Sequence, residues 1–282
     1  MMRRRQVLAG LGGAVLSGLL PGMPVWAAPG DGVAAYRASF EAFRKELAAD
    51  PDRAEVLSGV EAGALARTNF QRRREGVNAA PLKREEMLAW IARHYASAIA
   101  AGAPFDHHDR EGRGPAERIA LLHRRLVGAS GENLFTANQF RRGNAMGAGR
   151  FAVDSLMESP GHRRNILDSR WTHCGMGAGV RGDEMVLVQL FSAHSALLAR
   201  DLPTTLPPGA PLSLLADANP RPALVALVPL EEEPGLGDLS SPAEATAPTR
   251  PGLYRSHLAF VESSGKTRTS YFIHPGPAVQ VG

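Results

Sequence analysis

The chain has 282 residues, 44% of them hydrophobic, with 30 glycines, 21 prolines, one cysteine and a formal net charge of +4. One cysteine excludes an internal disulfide framework, so stability has to come from a packed core, and the chain is long enough to build one. Residues 1–27 hold three arginines and no acidic residue, so residues 28–282 stand at only +1 and the electrostatic footprint of a nucleic-acid-binding protein is missing.

Arg3, Arg4 and Arg5 precede an apolar run from Val7 to Leu20. Pro21, Gly22 and Pro24 break that run, and Val25-Trp26-Ala27 supplies small residues for cleavage, the pattern of an export signal. The run is shorter than the roughly 20 residues that span a bilayer. Paired arginines before Gln6-Val7-Leu8 resemble a twin-arginine signal; an ordinary secretory signal is the alternative. Either reading predicts an exported protein, periplasmic or extracellular, with no transmembrane anchor in the mature chain.

Residues 28–55 are predicted as a helical extension. Val33, Tyr36, Phe40, Phe43 and Leu47 recur at steps of three and four, which marks one apolar helical stripe. Asp50-Pro51 ends it, and Asp52 is the expected cap of a second helix running to about Arg74, with Val56, Val60, Ala64 and Leu65 inward. A third helix is expected from about Arg84 to Ala101 on the period of Leu88, Ile91, Tyr95 and Ile99. Phe105–Gly114 reads as a loop, Pro115–Val127 as a short helix opened by proline, and Arg150–Glu158 as another. Trp171–Val180 and Met185–Phe191 read as strands joined through Gly182-Asp183. Cys174, among small and apolar residues, reads as a buried small hydrophobe. Helices first and antiparallel strands after make an α+β pattern.

Prolines 203, 207, 208 and 211 mark residues 200–211 as a linker. Residues 212–282 are then expected to form a small β-rich region, with strands at Leu212–Leu215, Ala223–Leu230, Leu253–Glu262 and Thr267–His274 and a turn at Ser263-Ser264-Gly265. Glu231–Arg250, rich in Pro, Glu, Ser and Ala, reads as a long flexible loop. The arginines at 72–74, 124–125, 141–142 and 163–164 are short clusters and read as solvated faces.

Three short motifs carry the chemistry: FDHHDREGRGP at 105–115, GENLF at 131–135 and SPGHRRNIL at 159–167. Each holds a residue able to bind a metal or carry a proton, His107, Glu132 and His162. They lie about 25–30 residues apart, a helix plus a loop, so only a tertiary fold can join them. Ser159 and Ser192 lack a GxSxG context, which leaves a serine hydrolase unsupported.

These motifs, in this order, together with Asn69-Phe-Gln-Arg72, Pro81-Leu82 and the strand at Trp171–Val180, resemble the CAP superfamily (cysteine-rich secretory proteins, antigen 5 and plant pathogenesis-related proteins), in its bacterial, disulfide-free branch. The resemblance covers roughly residues 56–193, within a domain drawn at 56–199. It implies a three-layer α-β-α sandwich with a surface cleft, extended here by the C-terminal β-rich region. It also implies that two histidines and two acids line the cleft. His107, Glu132 and His162 match three of these positions, Ser159 stands at the fourth with Glu158 beside it, and Leu156 stands where relatives often have Trp. Asn133 and Ser159 join the expected cleft.

Two imidazoles and one carboxylate form a set that zinc accepts with a position left for water. His107 and His162 are therefore candidate metal ligands, and Glu132 a third ligand, an outer partner or a general base. Hydrogen bonding of both histidines to Glu132 alone is the competing reading. Two functions follow: a cleft that binds a lipid, glycan or peptide, with or without a divalent ion such as zinc, or a metal-assisted hydrolase acting on peptide or cell-envelope material. The missing fourth residue favours the first.

Overall fold

The computed structural model describes residues 32–264 and 269–282. The expected export signal at 1–27 lies outside these residues, as does part of the expected turn at 263–265. Among these described residues six α-helices occur, α1 (Gly32–Ala48), α2 (Pro51–Arg74), α3 (Glu86–Ala100), α4 (Pro115–Leu122), α5 (Ala145–Met157) and α6 (Pro160–Leu167). The strands are β1 (Lys83–Arg84), β2 (Leu126–Val127), β3 (Ser130–Ala137), β4 (His173–Arg181), β5 (Glu184–Ser192), β6 (Ala196–Leu198), β7 (Thr205–Leu206), β8 (Ala218–Asn219), β9 (Leu224–Pro229), β10 (Gly252–Ser264) and β11 (Thr269–Val281). Among the described residues no helix is long and apolar enough to cross a membrane.

The central sheet has the order β1-β4-β5-β3, with β3, β4 and β5 antiparallel and β1 parallel to β4. Alternation along β4 and β5 produces two different faces. Val186, Val188 and Leu190 face a core built from α1, α3 and α4, while Cys174, Met176, Ala178, Leu187 and Phe191 face one built from α2, α5 and α6. Helices on both faces of one sheet make the three-layer α-β-α sandwich.

The spacing between layers is set by missing side chains. A Cβ added at Gly177 of β4 would sit 2.0 Å from the backbone nitrogen of Arg93, and Gly175 and Gly179 on the same face meet the α3 backbone as closely. Only glycine admits that approach. On the other side of the sheet, a Cβ at Gly149 of α5 would lie 1.9 Å from the Val60 carbonyl of α2.

The predicted apolar stripe of α1 is buried through Tyr36, Phe40, Phe43 and Leu47. Asp50, not Asp52, caps α2 by accepting from the Arg53 amide at 3.0 Å, and Pro51 takes the first helical position. The inner face of α2 differs from the expected apolar one. Leu57, Val60 and Ala64 are joined there by buried Glu61, Thr68, Gln71 and Arg72. Glu61 pairs with Arg93 of α3 at 2.7 and 2.5 Å and accepts from the Ala178 amide, which ties both helix layers to β4. The helix expected over 115–127 stops at Leu122, because His123 Nδ1 accepts from the amides of Arg125 and Leu126 and turns the chain into β2.

The C-terminal region forms a second sheet, β7-β11-β10-β9, and a three-stranded sheet, β2-β6-β8, joins it to the sandwich. Val127 packs in the C-terminal core, while Ala278 packs with α1, α3 and α4. Arg124, expected in a solvated cluster, donates to the carbonyls of Leu202, Pro203 and Ala278. The expected strand at 212–215 is a 3₁₀ turn over Ser213–Asp217, where three residues per turn bring Leu212 and Leu215 inward together. The stretch expected to be flexible, 231–250, is held by bridges Val225↔Ser240 and Pro211↔Thr246 and buries Leu239, Ala245 and Ala247. The last strand runs past His274 to Val281 by absorbing Pro275 and Pro277 at a bulge opposite Arg255–His257.

Candidate functional site

The three motifs meet around β3, the edge strand of the central sheet. His107 sits on the loop between α3 and α4, Glu132 on β3 and His162 on α6. His107 Nδ1 lies 2.9 Å from Glu132 Oε1, and Arg118 of α4 donates to Glu132 Oε2 at 2.5 Å. Both Glu132 oxygens are thus engaged, and its side chain is 1% exposed against 49% for that of His107. The His107 ring stands at the solvent, backed by a buried anion whose charge Arg118 balances.

Arg118 also shapes the loop. It donates to the carbonyls of His107 and Arg113 at 2.9 and 2.8 Å, and its guanidinium lies 3.7 Å from the Tyr95 ring centre. Tyr95 in turn donates to the Asp106 carbonyl at 2.6 Å. Asp109 accepts from the amides of Glu111 and Arg113 and closes the FDHHDREGR loop on itself. His108 is exposed and pairs with Asp106, away from Glu132.

His162 belongs to a second group on the other face of β3. Asn133 donates to the His162 carbonyl at 3.3 Å and to Gln189 at 3.1 Å. Asn165 donates to the Glu132 carbonyl and to Asn133 Oδ1, and Trp171 Nε1 donates to Asn165. Arg72 donates to the carbonyls of Ile166 and Asp168 at 2.7 and 2.8 Å, which pins the end of α6 to α2. This accounts for one arginine of the 72–74 cluster being buried while Arg73 and Arg74 are exposed.

Electrostatics separate the two imidazoles. The hydrogen bond to Glu132 raises the pKa of His107, while burial first and the charge of His107 second lower that of His162. His162 therefore feels His107 across the edge of β3. Asn133, expected in the cleft, is 1% exposed and supports it from behind. Ser159 precedes α6, where its amide bonds to Leu156 and its carbonyl to Arg163, and no bond joins it to His107 or Glu132. Glu158 closes α5 one residue earlier. Cys174 is buried, with its thiol pushed up to about 12 by desolvation, as expected of an inert core residue.

The donor set is short of the zinc site expected from sequence. Among the described residues no group of three or more His, Cys, Asp or Glu is placed to hold a metal ion. The reason is local: Glu132 Oε2 accepts from a guanidinium, Oε1 bonds to His107, and the side chain is only 1% exposed, so the carboxylate is turned into the fold behind the His107 ring. Two imidazoles remain, which does not fit the three-protein-ligand zinc centre. Sequence reasoning missed Arg118 and Asn165. An arginine within the otherwise apolar run Ile119–Leu122 of a short helix, and an asparagine inside the SPGHRRNIL motif, were the available signals.

The model of the cysteine-rich secretory protein (CAP) family matches residues 66–191. Among solved structures, the chain is similar to an outer surface protein of Borrelia burgdorferi, at 17% identity and a TM-score of 0.38, over 46% of this chain and 90% of that one. It is similar to an extracellular protein containing an SCP domain from Bacillus anthracis, at 24% identity and 0.38, over 48% of this chain and 41% of that one. A cysteine-rich secretory protein from Staphylococcus aureus is similar at 21% identity and 0.33, over 48% and 38%. The chain thus spans about two fifths of the length of the last two. No curated protein matches it. The family match falls on the segment that carries all three motifs and the α-β-α layers around them, so residues 66–191 are similar to the cysteine-rich secretory protein (CAP) family.

Proposed function

We propose that this is an exported, extracytoplasmic protein whose cleft binds a ligand through His107 and His162, and that it does not hydrolyse one. The observation that carries this reading is the double engagement of Glu132. A general base must reach the water it deprotonates, and a metal ligand must reach the ion. Glu132 bonds inward to Arg118 and outward to His107, and its side chain is 1% exposed behind that ring. Its remaining role is to hold the His107 ring by Nδ1, which leaves Nε2 as the position that can bond to a ligand. The exposed Phe105 opens the same loop and adds an apolar surface two residues from that ring. A polar group beside an apolar segment fits a lipid, a glycan or a peptide.

The test has two arms on the cell-processed protein. Imidazole signals of His107 and His162 are followed by NMR during titration with envelope phospholipid micelles, peptidoglycan fragments or a peptide library. Shifts of both rings in one series, removed by His162→Ala, are expected. Zinc is titrated separately by calorimetry. Zinc-dependent cleavage of peptide or peptidoglycan that disappears in Glu132→Gln would replace this reading with the metal-assisted hydrolase.

A further inference from the structure

The charge of the chain is unevenly placed. On the outer surface formed by the C-terminal half of α2, the segment leading into α5, α5 itself and α6 stand Arg67, Arg73, Arg74, Arg141, Arg142, Arg150, Arg163 and Arg164. The acids there are Glu75, Asp154, Glu158 and Asp168. Eight arginines against four carboxylates leave this face at +4. Residues 28–282 total only +1, so everything else in them carries −3.

Three large apolar side chains stand on the same face: Phe70, Met146 and Phe151, which are 41%, 48% and 42% exposed. Contacts run through the patch. Arg67 lies 4.6 Å from the Phe70 ring centre and pairs with Asp154 of α5 at 2.6 Å. Arg150 reaches Met146 Sδ at 3.3 Å. Arg163 of α6 pairs with Glu75, which also pairs with Arg74 of α2. Phe151 packs edge-on against Phe135 of β3. Arg163 and Arg164 directly follow His162, so the patch adjoins the candidate site.

We propose that this face docks on an anionic phospholipid bilayer. Arginines reaching the headgroup level are attracted by the negative surface potential, and exposed Phe and Met side chains enter the boundary between headgroups and acyl chains. A soluble polyanion satisfies the arginines and has no use for the apolar side chains, which is why the bilayer is the better partner. Docked this way, the α6 edge of the cleft faces the membrane surface. The proposal does not depend on whether the cleft binds a ligand.

The test is flotation of the cell-processed protein with vesicles of phosphatidylcholine alone or mixed in equal parts with phosphatidylglycerol. Binding is expected to the mixed vesicles only, and to weaken as salt shortens the Debye length. Each arginine removed is expected to weaken it about fivefold, so Arg141→Gln with Arg142→Gln reads as about thirtyfold. Phe70→Ser is expected to weaken it about tenfold through lost apolar burial. The control pair Arg200→Gln and Arg221→Gln, on exposed positions of the C-terminal region, is expected to change nothing. Absence of binding to the mixed vesicles overturns the proposal, as does equal loss in the control pair. Binding to inorganic polyphosphate that matches vesicle binding and ignores Phe70→Ser overturns it in favour of a polyanion site.

Discussion

Arg118→Met tests the central claim that a buried cation holds Glu132 in place. Arg118 and Glu132 are each 1% exposed in their side chains and meet at 2.5 Å. Removing Arg118 leaves the Glu132 charge buried with only the half-exposed His107 ring as its remaining partner, at a cost of about 3–5 kcal/mol. The carbonyls of His107 and Arg113 also lose their donor, but they lie on a loop with exposed residues where water replaces it at small cost. The stranded carboxylate therefore dominates. For a chain of this size about 2–4 °C of melting temperature is lost per kcal/mol, so the variant should melt about 6–20 °C lower. Glu132→Gln alone should cost less, because an amide oxygen still accepts from Arg118. The double variant should be more stable than the sum of the single losses predicts, by a coupling of about 1–3 kcal/mol. Urea and thermal unfolding of the four proteins measure this. A loss below about 1 kcal/mol for Arg118→Met, or strict additivity in the cycle, would show that the pair does not bear on Glu132 as argued.

Other consequences follow from single contacts. His94 is buried among the rings of Tyr36, Phe40 and Phe43, with its pKa held down to about 3 by desolvation. Its unfolded value is about 6.5; stability from keeping it neutral is therefore complete above that pH and falls by about 1.4 kcal/mol per pH unit below it until about pH 3. His94→Phe should flatten the slope of unfolding free energy between pH 6 and 4 by about one proton, read from urea melts at several pH values. Gly177→Ala drives a Cβ to 2.0 Å from the Arg93 nitrogen and should destabilise by about 3 kcal/mol or more, or prevent folding, as seen by circular dichroism. Arg124→Ala removes charged bonds to Leu202, Pro203 and Ala278, each worth about 1.5–3 kcal/mol. Hydrogen exchange should then quicken in β10 and β11 while β4 and β5 stay protected.

What the sequence disclosed and what it hid divide along one physical line. The stripe of α1, the β4–β5 hairpin and the burial of Cys174 were legible because apolar residues reveal their side by period alone. The three motifs announced His107, Glu132 and His162 through a family pattern. Buried polar residues carried no such signal. Glu61, Arg72 and Arg118 are inside only because partners 14 to 96 positions away receive them, and without those partners each would read as solvated. The same reasoning covers Arg124, placed in an exposed cluster by its neighbours and brought inside by carbonyls of the C-terminal region. Prolines at 203–211 suggested separation, whereas β2-β6-β8 pairs strands from both sides of that stretch.

The identity of the residue facing Glu132 decides what this site can hold. A site lined by two acids and two histidines is electrostatically prepared for a divalent cation. In this chain the residue that the sequence resemblance aligns with the second acid is Ser159, and the partner of Glu132 is a guanidinium that lies against Tyr95. The single carboxylate is neutralised from within the fold before anything enters. An incoming cation would meet two imidazoles, one of them already favoured in its charged form by Glu132, and no net negative charge. A hydrogen-bonding ligand meets no such penalty, since one ring is held at a fixed angle and the other stands across the edge of β3. A serine at position 159 and the arginine that engages Glu132 thus act in the same direction, in favour of the proposed hydrogen-bonded ligand over an ion.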